Sequence, residues 1–240
     1  METKLWEVEN LLSSVWIDLA EDFVDLGNAS LRKNLSLFIS LMHLRHPDNL
    51  KKYFHNHNKI IDLFEQAPIR TDGTPDVEAI EINGKIYEFD PDGWFEYRNW
   101  GKDERHLFFV NMIHSNAGFL ARLLMKKRWS IITSDSNQFI TTDKPVCMQH
   151  LTKQIFGFGT EGTIITFPLS QKRLLRMDDM HCEPANQYYP LDNTILGAYN
   201  YSLWTNCSRF MITGRPIAQV LTEIVEWADD YERQQKLPIF

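Results

Sequence analysis

The apolar residues of this 240-residue chain change their spacing once, close to residue 128. Before that point Leu5, Val8, Leu11, Leu12, Val15, Leu19 and Phe23 recur at three- and four-residue steps, the period of an amphipathic helix. Gly27 is placed to end that helix, and Ser30 to cap a second one. The second carries Leu31, Leu35, Phe38, Ile39, Met42 and His43 toward His46-Pro47, where proline disfavours helical geometry in the residue before it. A third helix is expected over 49 to about 66, and a long fourth one ends near Arg128. On the fourth, Leu107, Val110, Ile113, Ala117, Leu120, Leu123 and Leu124 form one face.

After residue 128 the apolar runs shorten to strand length, at 129–133, 138–142, 163–168, 173–177 and 210–213. Asp192 or Asn193 caps a helix through Leu196, Tyr199, Leu203 and Cys207, and 216–232 closes the chain as a helix. Helices flanking a small sheet define the α+β class. The expected architecture is one α+β domain over 1–240: a helical layer (1–67), an inserted β-hairpin (77–90), and a helix with a mixed central sheet (103–240). The hairpin rests on EAIEINGKIYEFD, where Asn83-Gly84 joins two alternating runs and both positions accept positive φ. SDSNQ, at 134–138, reads as a second hairpin turn, between 129–133 and 138–142.

Charge narrows the partners. With 32 acidic against 25 basic side chains the net charge is −7, which disfavours a broad nucleic-acid surface. Arg122, Lys126, Lys127 and Arg128 cluster, but at a helix C-terminus, where they complement the helix dipole. No apolar run reaches the roughly 18 residues of a membrane span, and the acidic, amphipathic METKLWEVENLL does not resemble a secretory signal. Cys147, Cys182 and Cys207 share no close spacing and cannot all pair, so free thiols and a cytoplasmic setting are expected.

The chemistry-bearing candidates are few. Asp143, in FITTDKPVCMQ, stands where a strand must break before Pro145; it is a turn-former or a site carboxylate held at a rigid strand end. Asp135 falls in the SDSNQ turn, and strand rise puts it roughly 15 Å from Asp143, too far for a carboxylate dyad. Cys147 and His150 form a C-x-x-H pair with His181-Cys182 further on, yet no second metal-binding pair completes a set, so no metal is assigned. GFGTEG has the glycines of a mobile loop, with Glu161 set to repel phosphate, and no nucleophile or phosphate-loop motif occurs. Arg45, Asn200 and Arg209 are polar residues at or near apolar helices, and buried polar groups need partners.

Three segments together, WSIITSDSNQFITTDKPV, ITFPLSQKRLLRM and YNYSLWTNCSRFMI, resemble the mainly bacterial family of unknown function DUF4238. The resemblance falls on Trp129, on Phe139 to Val146, on Pro168-Leu169-Ser170, on Asn200 ahead of Phe210, and on Arg45 with Pro47. TTDKPV and PLS are its specific parts. Family members open with a His-Tyr-Val-Pro-like segment and this chain does not, so either the chain is a truncated form or it lacks that part of any site. The resemblance carries no activity and no cofactor, but it draws attention to Asp143. Two functions follow. One is a hydrolase or phosphodiesterase-like enzyme with Asp143 as general base or metal ligand, Arg45 and Arg209 holding an anionic small molecule or nucleotide, and Asn200 orienting it. The other is a non-catalytic binding or effector module in a bacterial stress or phage-defence setting, with a protein partner and Asp143 as a turn residue.

Overall fold

The computed structural model describes residues 2–82 and 84–235, with the side chains of 2–8, 11 and 234–235 outside the description. The chain forms two compact units, residues 1–44 with 116–240, and residues 45–115. The architecture is α+β.

The first unit is built on a five-stranded mixed sheet. Its strands are β3 (Arg128–Thr133), β5 (Cys147–Gln149), β6 (Ile164–Ser170), β7 (Arg173–Asp178) and β8 (Gln187–Pro190), in the order β5-β6-β7-β3-β8. All neighbours are antiparallel except β3 and β8, which run parallel. Alternation along each strand divides the core in two. Trp129, Ile131, Ile165, Phe167, Leu175 and Met177 face Leu12 and Leu19 of α1 (Glu2–Glu21) and Leu35 and Ile39 of α2 (Ala29–Leu44). Ile132 and Leu174 face Leu196, Tyr199 and Leu203 of α6 (Leu196–Asn206) and Val220 and Ile224 of α7 (Ile217–Gln235). Period-two strands sandwiched between helices explain why every residue of β3 except Thr133 is buried.

Helix ends are held by both distant and neighbouring groups. Gly27 does not end α1; the helix stops at Glu21, and the Arg173 guanidinium donates to the carbonyls of Leu19, Glu21 and Asp22. A fork with five donors satisfies those orphan acceptors, so no left-handed glycine is required. Asn28, not Ser30, caps α2, its Oδ1 accepting the N–H groups of Ser30 and Leu31 at 3.0 Å. Asp192 caps the short 3-10 turn Asn193–Ile195 that leads into the helix at Leu196, accepting from Thr194 N–H at 2.9 Å, and the helix itself starts without a side-chain cap. Arg32 of α2 donates to the carbonyls of Met125 and Lys127 at 2.9 Å and lies 4.3 Å from the centre of the Trp129 ring.

The expected 129–142 hairpin does not form. β3 pairs with β7 and β8 instead, and SDSNQ crosses to the end of β7, Ser134 donating to Lys172 O. Only Thr141–Thr142 (β4) becomes a strand in that stretch, paired with β9 (Met211–Ile212) in a separate two-stranded ladder.

The second unit holds α3 (Pro47–Glu65), the hairpin β1 (Ala79–Ile82) and β2 (Lys85–Glu88), α4 (Trp94–Arg98) and the first part of α5 (Lys102–Lys126). Phe64, Phe89 and Trp94 pack ring against ring with centroids 5.1–5.6 Å apart. Ile82 pairs with Lys85, which leaves a two-residue connection, and Gly84 has φ +76°. Asn83 lies outside the described residues. A Cβ on Gly84 would meet nothing within 4 Å, so the cost of Gly84→Val is purely conformational. It is expected to reach about 1–2 kcal/mol, read as a loss of stability in urea denaturation.

One described helix, α5, is long and apolar enough to cross a membrane by length and composition, with 28 % of the apolar stretch buried. It carries Asn111, His114, Asn116 and Arg122, polar groups that a bilayer interior would penalise. Cys147, Cys182 and Cys207 are free thiols, as expected.

Candidate functional site

The segment FITTDKPV is an extended lead-in that changes sheets. Gln138 and Phe139 N–H both donate to Gln171 O, at 2.8 and 2.9 Å, which ties the segment to the β6–β7 turn. Ile140 N–H donates to Asn200 Oδ1 at 3.2 Å, and Thr141–Thr142 then pairs with β9. Thr142 Oγ1 accepts Lys144 N–H at 3.1 Å, and Pro145 has no N–H to continue the ladder. The chain therefore leaves β4 at Asp143 and enters β5 two residues after Pro145.

Asn200 is fully buried, and both ends of its amide are engaged, Nδ2 donating to Gln138 O at 3.0 Å. It clamps the lead-in to α6. Asp143 is half-buried: its Oδ1 accepts the Ser208 N–H at 3.0 Å and the Cys207 thiol at 3.5 Å, and its own N–H donates to Phe210 O. Burial pushes the Cys207 thiol up, and its hydrogen bond to the Asp143 carboxylate adds to the effect. A thiol held in its protonated form is a poor nucleophile. Arg209 follows in the chain and is exposed. Arg45 is exposed in the turn after α2 and belongs to the other unit.

Beside this segment the first unit carries a half-open cavity of about 320 Å³. It is lined by residues 139–142, Pro145 and 167–171, with Trp16 of α1, Phe38 and Met42 of α2, and Ile212 of β9. Pro168 and Ser170 flank a register shift in the β6–β7 pairing, and such irregularities bend a strand and open space at its edge. Trp16, Phe38 and Phe167 meet edge to face with centroids 5.6–6.4 Å apart, a rigid apolar wall. The sequence reading missed the three helical residues, because at helical spacing they are indistinguishable from ordinary core positions.

The C-x-x-H pair is engaged elsewhere. The Cys147 thiol is buried against Ser202 O, and burial raises its pKa to about 12. His150 accepts the N–H groups of Thr152 and Lys153 on Nδ1, and its Nε2 lies 2.9 Å from Glu161 O. No group of three or more His, Cys, Asp or Glu stands together among the described residues.

Comparison with the curated proteins gave no match, and comparison with the solved structures gave none. The family model described as "Protein of unknown function (DUF4238)" matches residues 1–216. A match over nine-tenths of the sequence, with both specific motif segments inside it, means that the chain belongs to the DUF4238 family.

Proposed function

We propose that this protein is a binding module that takes a small molecule into the cavity of its first unit, with Asp143 as part of the scaffold. The observation that carries this reading is convergence. The segments TTDKPV and PLS, far apart in sequence, both contribute walls to one cavity. Its volume falls at the lower end of the range for small-molecule sites, roughly 300–1,000 Å³. A hydrolase or phosphodiesterase-like reading would need the Asp143 carboxylate turned to a substrate. The partners described for that carboxylate are a thiol and a backbone N–H, and Asp143 is not in the cavity lining.

A thermal-shift screen of small molecules, nucleotides and divalent metals separates the readings. Ligand-induced shifts are expected to persist in Asp143→Ala and to vanish in Ile212→Trp, which places an indole at the cavity wall from a residue 56 % exposed. Asp143→Ala itself is expected to lose about 0.5–1.5 kcal/mol of stability, because it removes the hydrogen bond from the exposed Ser208 N–H. An Asp143→Ala protein with unchanged melting temperature and no ligand response would overturn the proposal in favour of a catalytic or anion-binding carboxylate.

A further inference from the structure

We infer that the ligand of this cavity is uncharged, with an apolar body and one hydrogen-bonding group that pairs with the Thr141 hydroxyl. The inference rests on the binding reading above and adds to it the chemical class. None of the cavity's lining residues is Asp, Glu, Lys, Arg or His. An ion taken from water into such a lining would lose its hydration with no counter-charge to replace it. A nucleotide would bring its phosphates to walls of aromatic rings, proline and leucine.

The polar atoms of the lining narrow the class further. Thr142 Oγ1 already accepts the Lys144 N–H. Ser170 Oγ donates to Ala20 O at 3.1 Å and accepts the Lys172 N–H at 3.2 Å. The Ser170 hydroxyl is thus occupied as donor and acceptor, and the Thr142 hydroxyl as acceptor. Thr141 also belongs to the lining, and among the described residues its side chain makes no hydrogen bond to protein. The exposed Gln171 carboxamide packs instead on Gly214, which is not in the lining. A hydroxyl both donates and accepts. The site therefore suits one hydroxyl, carbonyl, amide or amine group on an otherwise apolar molecule, with the Trp16–Phe38–Phe167 wall taking the body.

A matched pair of fluorescent probes tests this on the full chain. N-phenyl-1-naphthylamine is neutral and carries one N–H; 1-anilinonaphthalene-8-sulfonate has the same rings with an added sulfonate. The neutral probe is expected to bind at one site, at least tenfold tighter than the sulfonate. Binding should be lost in Ile212→Trp and weakened roughly three- to tenfold in Thr141→Val, the shift set by one hydrogen bond. Circular dichroism of both variants should match the parent, since Ile212 is exposed and the valine is isosteric. Equal or tighter binding of the sulfonate, still lost in Ile212→Trp, would refute the uncharged class and leave the cavity as a binding site. Unchanged affinity in Thr141→Val would refute the role of the hydroxyl. Neutral-probe binding that survives Ile212→Trp, or no binding of either probe, would overturn the binding reading itself.

Discussion

Asp178→Ala is expected to cost about 3–5 kcal/mol in urea denaturation, the cost of breaking a buried ion pair from one side. Asp178 is 1 % exposed at the end of β7, directly across the ladder from Arg128. Its two oxygens accept from Arg128 Nε and Nη2, both at 2.8 Å, and Oδ1 also accepts the Met180 N–H at 3.1 Å. Arg176 Nε lies 2.9 Å from Oδ2 as an ion pair whose N–H is poorly aligned, since that nitrogen has no hydrogen-bond partner by geometry. Removing the carboxylate leaves the Arg128 guanidinium, 5 % exposed, with a bond to Pro184 O and no described counter-ion. Burial raises the Asp178 pKa; the Arg128 hydrogen bonds, the Met180 N–H and the two guanidinium charges together outweigh it and leave the carboxyl below its usual range. A depressed folded-state pKa means the contribution is complete above the unfolded value, about 3.9, and is lost as pH falls below it. Wild type should therefore lose stability more steeply than Asp178→Ala below about pH 4, and the two curves should run parallel between pH 5 and 7, approximate limits set by that value.

Trp129→Ala is expected to cost about 3–5 kcal/mol as well, through a cavity and one lost buried hydrogen bond. The indole is 0 % exposed in the middle of the sheet face that packs on α1 and α2. Its Nε1 donates to Leu124 O at 2.9 Å, near the end of α5, and Arg32 lies over its ring. Alanine removes the ring volume and the α5 hydrogen bond, and leaves the Arg32 guanidinium without its apolar floor. Trp129→Phe keeps most of the volume and should lose roughly half as much, the difference reporting the hydrogen bond and the second ring. A cost below about 1 kcal/mol for alanine would show that the core collapses around the gap.

How far the sequence could be read depended on how local each decision was. Helical period located α1, α2, α3, α5, α6 and α7 because the signal is repeated within each segment. Asn83-Gly84 located the hairpin because a turn of two residues sets its own register. Strand pairing failed where it was not local: 129–133 and 138–142 flank turn-forming residues, yet β3 pairs with β7, some 45 positions further on. Nothing in SDSNQ excludes a hairpin; the competing ladder with Leu174 and Leu175 buries more apolar surface. β5 and β8 went unread because each is only 3 or 4 residues long and β8 ends in proline. At the site, the motif segments were visible and their convergence was not. Phe139, Thr142, Pro168 and Ser170 become cavity walls only because Asn200 and Gln171 hold the 138–140 backbone. Asp143 drew attention as a charge at a strand break; the structure adds Cys207 and Ser208 as its neighbours, residues that sequence spacing does not connect to it.

The central claim, that the site is the cavity beside β4 and not the Asp143 carboxylate, is tested most directly by NMR. The ¹³C-methyl signals of Met42, Ile140, Leu169 and Ile212 and the backbone amides are followed together during titration with N-phenyl-1-naphthylamine. The predicted result is saturable movement of those four methyls, with the amides of Asp143, Ser208 and Arg209 shifting far less. Movement concentrated at Asp143, Ser208 and Arg209, with the four methyls unchanged, would contradict it.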